Sequence, residues 1–309
     1  MFYYLLLLFL SIIPAVFLLW YFERQDKGRK EPLHLKWKIF RWGVFVTIVA
    51  AVIELNIEDI YYSLNITPSS HFWIYIALSS FVTAAFVEEA LKLWVVKTHV
   101  YKDKHFDEIM DGVTYTIIAS LGFATLENIL YVFDGGIGLA ITRALISVPA
   151  HAMFSGIMGY YIGKARFSMA QGTDGKIMLK GFLLAVFYHG LFNFLLFTES
   201  WPVGLVFPLL LIMWAHLRHL IKKAHFEDKT VNEKPMKFGF VRILRIFFGS
   251  IFILWGVLSA IGSILVALNP LDYHYSKLQI TFGLLLAVTL FAIGMLLIRR
   301  KTKRIQSSP

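Results

Sequence analysis

Two adjacent glutamates, Glu88 and Glu89, lie inside an apolar segment that is long enough to cross a lipid bilayer. A central Asp or Lys costs roughly 2.5 to 3.5 kcal/mol there, so such charges must face inward, be paired or be used. Every fourth position forms one stripe: Ser80, Ala84, Glu88 and Lys92. That stripe predicts that Glu88 faces a helix bundle and that Glu89 is turned about 100° from it. An ion pair of either glutamate with Lys92 is the alternative to chemistry.

Three further apolar segments also carry polar side chains. Glu127 and Asn128 are adjacent in the first, His151 begins a stripe of small residues in the second, and His189 shares a helix face with Asn193 in the third. Any one of these groups is typical of an interhelical hydrogen bond, whereas their combination favours a functional site. The small residues of the two stripes are Ser155, Gly159 and Gly163 after His151, and Gly181 and Ala185 before His189.

The chemistry that these residue types favour is hydrolysis by an activated water molecule. At a rise of about 1.5 Å per residue, Glu88, His151 and His189 lie roughly 12 to 18 Å from one end of their predicted helices, with Glu127 about a turn further out. A carboxylate or imidazole at low dielectric can activate water, and the Asn193 amide or a histidine N–H can donate to an oxyanion. Cysteine, Gly-x-Ser-x-Gly and His-Glu-x-x-His are absent from the sequence, so thiol, serine and zincin chemistries lack support.

Composition defines the class of protein that must position these side chains. The chain has 309 residues, of which 58% are hydrophobic and 16% charged, and apolar runs of about 20 residues show no period-2 alternation. The fold is therefore predicted to be all-α, a polytopic transmembrane helix bundle. The net charge of +10 lies between and after the apolar runs, so it encodes membrane topology rather than nucleic-acid binding.

About nine spans are predicted, with the N-terminus outside and the C-terminus cytoplasmic, because every strongly basic connection then falls on one side. Glu54 lies within the second span, and Glu58 and Asp59 are interpreted as interfacial residues at its outer end. We predict a membrane-embedded core at 1–225, a cytoplasmic linker at 226–245 and a C-terminal hairpin with a basic tail at 246–309. The predicted spans are 2–22, 42–64, 72–96, 112–133, 138–162, 177–197, 201–220, 246–268 and 278–298.

In this arrangement the polar motifs resemble those of the PrsW family of bacterial intramembrane proteases, which are related to the glutamate-type CAAX prenyl endopeptidases. The resemblance covers about residues 70–200, in the family's order. Five motifs carry it: Glu88-Glu89-Ala90-Leu91-Lys92; Asp-Glu-Ile-Met-Asp-Gly-Val-Thr-Tyr at 107–115; Gly-Phe-Ala-Thr-Leu-Glu-Asn-Ile-Leu-Tyr at 122–131; His151-Ala152-Met153-Phe154-Ser155-Gly156; and His189-Gly190-Leu191-Phe192-Asn193.

The resemblance implies cleavage of a membrane-anchored protein, in that family an anti-sigma factor, at a first site that permits later intramembrane cleavage. Glu88 and His151 would activate the water, and His189 with Asn193 would hold the oxyanion. Glu89 would orient these groups. Glu127 is a family motif residue whose role the sequence does not supply, and Ser147, where the related endopeptidases tend to have phenylalanine, argues against a CAAX-type substrate.

The partners implied are a single-span membrane protein substrate and the lipid bilayer of the bacterial inner membrane. No cofactor is expected. A metal-dependent version would instead use Glu88, His151 and His189 as zinc ligands. Two other classes remain open at this stage: a proton-coupled transporter, in which Glu54 would extend a proton path, and a catalytically silent scaffold. The lack of an internal repeat counts against an inverted-repeat transporter.

Overall fold

In the part of the chain that it describes, the computed structural model contains helices and connecting segments but no strand, as the composition predicts. Apart from isolated positions between 253 and 295, the described residues are 2–26, 28–168, 172–198 and 201–229. The helices are α1 Phe2–Gln25, α2 Leu33–Ser63, α3 Phe72–Leu78, a π-helix Ser79–Phe86, α4 Val87–His99, α5 Ile109–Leu145, α6 Ser147–Arg166, α7 Asp174–Phe197, a 3-10 turn Trp201–Leu205 and α8 Val206–Glu227.

Five helical stretches within the described residues are long and apolar enough to cross a membrane. They are Phe2–Gln25, Phe72–His99, Ile109–Arg166, Asp174–Phe197 and Val203–Glu227. The stretch Ile109–Arg166 has 58 residues and covers predicted spans four and five, because about 20 residues suffice for one crossing. Predicted spans eight and nine, and the linker beyond residue 229, lie outside the described residues except for isolated positions.

The chain divides into two compact units. The first consists of Met1–Glu199 with Met213–Met236, and the second of Ser200–Ile212 with Lys237–Pro309. All the polar residues that the sequence singles out between 80 and 193 therefore belong to the first unit.

Helix α2 begins well before the span predicted from residue 42. It starts at Leu33, directly after Pro32, whose φ of −59° and ψ of 133° place it at the N-cap. Residues 33–41, which precede the second predicted span, are therefore already helical. Lys and Arg are good helix formers, and no glycine or proline interrupts residues 33–41.

The chain breaks between predicted spans four and five, within the gap left at residues 134–137. Gly136 leaves helical geometry, with φ 70° and ψ −163°, a region essentially reserved for glycine. This kink divides α5 into two helical stretches, the second of which ends at Leu145, and α6 begins at Ser147. Predicted span five, 138–162, therefore includes the end of α5 and most of α6.

Helices α5 and α6 lie antiparallel along a seam of glycines. A Cβ atom on Gly159 would collide with the backbone of Gly112, and one on Gly163 with the backbone of Ile109. Small residues allow helix backbones to approach this closely in a membrane, so the predicted groove below His151 is confirmed. The same seam brings the Ser120 hydroxyl to the carbonyl of His151, to which it donates at 2.8 Å.

Helix α5 also packs against α1 and α2, while α7 packs against α6 and the π-helix. Gly43 of α2 faces the backbone of Ala119, and Gly190 of α7 faces the ring of Phe81 in the π-helix. The regular helix predicted for residues 72–96 therefore contains an eight-residue π-helical insertion directly before α4. These contacts surround the first turns of α4 with α2, α5 and α7.

Candidate active site

Six ionisable side chains from four helices meet in the interior of the first unit, and we call them the intramembrane cluster. Helix α4 supplies three of them, and α5, α6 and α7 supply one each. Their members are Glu88, Glu89, Lys92, Glu127, His151 and His189. Glu127 has 18% of its side chain exposed, whereas the side chains of the other five residues are at most 7% exposed. The prediction that Glu88, His151 and His189 meet is confirmed by their contacts, and Glu127, which was predicted about a turn further out, also reaches His151.

Lys92 lies at the centre of this cluster. Its Nζ donates to Glu88 Oε2 at 3.0 Å, to Glu89 Oε1 at 2.8 Å and to His151 Nδ1 at 3.2 Å. The ammonium also lies 4.4 Å from the ring centroid of Phe123, within cation–π range. The ion pair anticipated for this segment thus exists, and it includes both glutamates and a histidine.

Glu89 follows Glu88 on α4, turned about 100° from it, and it is also buried in the bundle. Its exposure is 0%, compared with 5% for Glu88. Ser155 of α6 donates to Glu89 Oε2 at 2.8 Å, and His189 Nδ1 lies 3.2 Å from Glu89 Oε1. Both glutamates are buried because α4 has neighbouring helices on more than one side.

The contacts of His151 determine which of its ring nitrogens carries a proton. Lysine has only donors, so Nδ1 of His151 accepts from Lys92, and the proton of the neutral ring lies on Nε2. Nε2 is 2.9 Å from Glu127 Oε2, an electrostatic contact that favours this tautomer. The Nδ1 atom lies 3.9 Å from Glu88 Oε2.

His189 is held in the complementary orientation. Its Nδ1–H donates to Glu89, which leaves the lone pair of the neutral ring on Nε2, 3.9 Å from Glu88 Oε1. The ring stacks on Phe154 with centroids 4.2 Å apart and planes 8° apart. Two histidine lone pairs, from His151 Nδ1 and His189 Nε2, therefore converge on Glu88.

A second layer behind Glu127 includes a residue that the sequence-based reasoning missed. Arg143 Nη2 lies 3.1 Å from Glu127 Oε1, and Arg143 Nε donates to Asn128 Oδ1 at 2.9 Å. Asn128 Nδ2 in turn donates to the carbonyl of Ser11 in α1 at 2.9 Å. A lone arginine inside an apolar stretch is itself a signal of function.

Asn193 is the one predicted site residue that the structure does not link to the cluster. It lies one turn after His189 on α7 and is half-buried. Its side chain forms no hydrogen bond with any other residue of the described ranges. An amide with free donors next to His189 remains available to a ligand.

The donor set fits a divalent metal ion. Glu88, His151 and His189 each offer one ligand atom, and these atoms lie within 4.8 Å of one another, the only such group among the described residues. Zinc binds imidazole nitrogen and carboxylate oxygen at about 2.0 to 2.2 Å in tetrahedral geometry, so two of its ligands lie about 3.3 to 3.6 Å apart. The two 3.9 Å separations from Glu88 need to shorten by only about 0.3 to 0.6 Å to reach that range. The Lys92 ammonium marks a position in this set where a positive charge is stabilised.

Fold and site together define a class: a helical membrane protein with a buried glutamate and histidine centre capable of hydrolysis. Residues 31–217 match the family model described as the PrsW family intramembrane metalloprotease. The chain belongs to this family and is a peptidase.

Relatives in several bacteria agree with this assignment. The chain is 38% identical over 228 residues to Protease PrsW of Geobacillus kaustophilus, covering 74% of this chain and 96% of the relative. It is 34% identical over 241 residues to Protease PrsW of Clostridioides difficile, and this match covers 76% of this chain and 96% of the relative. It is 36% identical over 214 residues to Protease PrsW of Bacillus subtilis, and this match covers 69% of this chain and 93% of the relative. No solved structure matches the chain.

Proposed function

We propose that this chain is an endopeptidase of the membrane interior that hydrolyses a peptide bond in a membrane-anchored protein. The observation that carries the proposal is the burial of Glu88, Glu89, His151 and His189 among helices of membrane-spanning length. A polar centre at this depth carries a large insertion cost, which a catalytic role explains. Membership of a peptidase family rather than a transporter family supports the same reaction class.

In this proposal Glu88, His151 and His189 hold a zinc ion, as the family's description as metalloproteases favours. When bound, such an ion acidifies a water molecule and polarises the scissile carbonyl. Glu88 also offers a second carboxylate oxygen, which can accept a proton from the attacking water. This replaces the cofactor-free expectation from the sequence with its zinc-dependent alternative.

The surrounding residues orient these groups. Glu89 fixes the tautomer of His189, and Ser155 holds the other oxygen of Glu89. Glu127 faces the Nε2–H of His151 and is backed by Arg143. Carboxylates behind metal-binding histidines raise their basicity and set their orientation, which gives Glu127 the role that the sequence left open.

Asn193 is proposed as the donor that stabilises the oxyanion, because its side-chain NH2 is not engaged by any described residue and lies one turn from His189. His189, which the sequence also assigned to this task, does not share it in the metal-bound protein, because its Nε2 lone pair is then used by the ion. Oxyanion donors act on charge that develops in the transition state.

The substrate that we propose is a single-span membrane protein, with an anti-sigma factor as the first choice, cut at a first site. The nine-span topology, with the N-terminus outside the bacterial inner membrane, is proposed from the distribution of basic residues. Residues 1–225 form the proposed catalytic core, with 226–245 as a linker and 246–309 as an added hairpin. A reporter fused at Pro68 should be active only in an extracytoplasmic form, and one after Arg304 only in a cytoplasmic form.

The test is cleavage of a membrane-anchored anti-sigma factor by purified protein in detergent or liposomes. Chelation should abolish cleavage and zinc should restore it. Glu88→Gln should lower turnover by about 10² to 10⁴ while the protein accumulates normally. Asp59→Asn, the same carboxylate-to-amide change at an exposed position of α2, serves as the matched control.

Near-normal turnover of Glu88→Gln would rule out its assignment. Full activity in chelator, with no effect of added zinc, would leave the peptidase intact and remove the metal from the proposal.

A further inference from the structure

The geometry points to Lys92 as a tethered cation of the metal site: its ammonium and a divalent ion compete for the Nδ1 lone pair of His151. This inference rests on the metal-binding set proposed above. It assigns to Lys92 a role that a plain ion pair with Glu88 or Glu89 does not include, because it makes metal binding and lysine contact alternatives.

The first observation is the position of the ammonium. Lys92 is fully buried, and Nζ is within 3.2 Å of atoms on Glu88, Glu89 and His151. Two of these three residues belong to the proposed metal-binding set. The charged end of Lys92 therefore lies within the set and not beside it.

The second observation concerns the number of lone pairs. A neutral imidazole has one acceptor nitrogen with one lone pair. In His151 that nitrogen is Nδ1, which accepts from Lys92, while Nε2 faces Glu127 at 2.9 Å. A zinc ion bound through Nδ1 at about 2.0 to 2.1 Å uses the same lone pair. The lysine hydrogen bond and the metal bond to His151 are therefore mutually exclusive.

The third observation is that the Lys92 ammonium, once displaced from His151, still has other groups in contact with it. Nζ lies 2.8 Å from Glu89 Oε1, and Glu89 is outside the metal-binding set. The faces of Phe123 and Phe154 lie 4.4 and 5.6 Å from Nζ, within range to stabilise a buried cation. Lys92 can thus leave His151 and Glu88 while it retains one carboxylate and two rings.

This arrangement has a consequence for the metal-free protein. Two buried glutamates without a cation would be strongly unfavourable in the membrane interior. Lys92 supplies that cation from the same helix, so the bundle can assemble before a metal ion arrives. The cost is a weaker affinity for the ion, which must displace the ammonium from two of its ligands.

The test is a zinc titration of purified protein in detergent, without substrate, by competition with a chromophoric chelator. Lys92→Met, which keeps the length of the side chain and removes its charge, should bind zinc about 10- to 100-fold more tightly than wild type, the range typical of changes behind metal ligands. Lys97→Met, an exposed lysine on the same helix, is the matched control. Zinc bound by His151→Gln defines the background from other sites.

Lys92→Met leaves two uncompensated glutamates and can fail to accumulate. The pair Glu89→Gln and Glu89→Gln/Lys92→Met then makes the same comparison with one charge of each sign removed, and the double variant should bind zinc more tightly than the single one. Equal or weaker zinc binding on loss of Lys92 in both backgrounds would overturn the inference, as would the absence of zinc binding above background in every variant. If Lys92→Met binds zinc more tightly but wild-type protein does not cleave the substrate, the proposed function is contradicted and this inference is still supported.

Discussion

The first unit contains two groups of buried carboxylates, and their partners differ in kind. In the intramembrane cluster the carboxylates meet Lys92, Arg143 and two histidines. A second group, which we call the end cluster, lies where the α1–α2 linker, the start of α5 and the end of α8 meet. Its members are Asp26, Glu31, Glu108, Asp111 and Asp228.

The hydrogen bonds that the end cluster accepts come from neutral donors, while Glu108 Oε2 and Asp111 Oδ1 have no partner among the described residues. Asp228 accepts the backbone N–H groups of Ile109 and Met110 at 2.8 and 3.0 Å, and Asp111 closes a capping box at the start of α5. The hydroxyl of Tyr115 donates to Glu31. Orphan donors at a helix N-terminus favour carboxylates, so this group stabilises the fold. The intramembrane cluster differs from the end cluster in having ion pairs and histidine lone pairs that point to one carboxylate, and these features suit it to chemistry.

Asn193→Ala should give the largest effect among the changes that test this contrast. Loss of an oxyanion donor costs about 10² to 10³ in kcat with little change in substrate capture. The fold should survive, because interhelical hydrogen bonds in membranes average about 0.6 kcal/mol. The double variant with His189→Ala should fall well short of the sum of the single effects in log rate. If both single variants turn substrate over like wild type, the oxyanion assignment is wrong and Asn193 and His189 contribute only to packing.

Arg143→Gln should lower turnover by about 10- to 100-fold, because it removes the charge that holds Glu127 behind His151. Restored zinc affinity and turnover in Arg143→Lys, relative to Arg143→Gln, would show that charge is what matters. Unchanged zinc affinity and kcat in Arg143→Gln, measured on folded protein, would place Arg143 with the structural group.

Asp228→Ala should lower the stability of the protein and leave turnover almost unchanged, whereas the changes in the intramembrane cluster should mainly lower turnover. It removes the acceptor of two N–H groups at the start of α5 and should cost about 0.5 to 2 kcal/mol of stability, as lost helix caps do. Turnover per folded molecule should stay within about twofold. Thermal unfolding in detergent, with exposed Lys222→Ala as the control, measures the first quantity. A large loss of turnover with unchanged stability would erase the distinction between the two clusters.

The smallest expected effect is a pH dependence of the free energy of unfolding that arises from Glu31. Burial raises the pKa of Glu31 above its ordinary value of 4.5, so folding favours the protonated form. The contribution of Glu31 to stability is therefore greatest below pH 4.5 and falls as the pH rises through the raised pKa, by at most about 1.4 kcal/mol per unit of separation between the two pKa values. The groups that face Glu31 are Asp26, Asp107, Asp111 and Tyr115.

Glu31→Gln should flatten this part of the profile of unfolding temperature against pH, because a neutral amide replaces the titrating group. The same slope in wild type and variant would show that another group is responsible.

The intramembrane cluster was largely predictable because charge inside an apolar segment is a strong signal. Glu88, Glu89, His151 and His189 stand out for that reason alone. Glu127 was found as a motif residue, but its role required the distance to His151. Arg143 was missed because its partner Glu127 is 16 positions earlier, on the other side of the kink in α5, so no helical period relates the two.

The helix boundaries were predictable in part. The break between predicted spans four and five is present at Gly136, whereas the start of α2 at Leu33 was not found, because the basic residues before position 42 are compatible with a helix. The contacts of Glu89 also required the structure, since they come from more than one neighbouring helix. The glycine seam was predictable because small residues at a spacing of four are typical of helices whose backbones pack closely in a membrane.

The π-helix Ser79–Phe86 allows the helix that leads to Glu88 and Glu89 to contain one extra residue. A π-bulge corresponds to one extra residue in an α-helix, and its wider turns absorb that residue so that the helix on either side keeps its alignment. Deleting one residue within this segment should therefore return it to regular α-helix with Glu88 still aligned with His151 and His189. The same deletion between Glu88 and Lys92 has no wide turn to absorb it, and it would turn Lys92 by about 100° and shift it by about 1.5 Å relative to Glu88. The chain should therefore tolerate the loss of a residue before the two glutamates better than the loss of one after them.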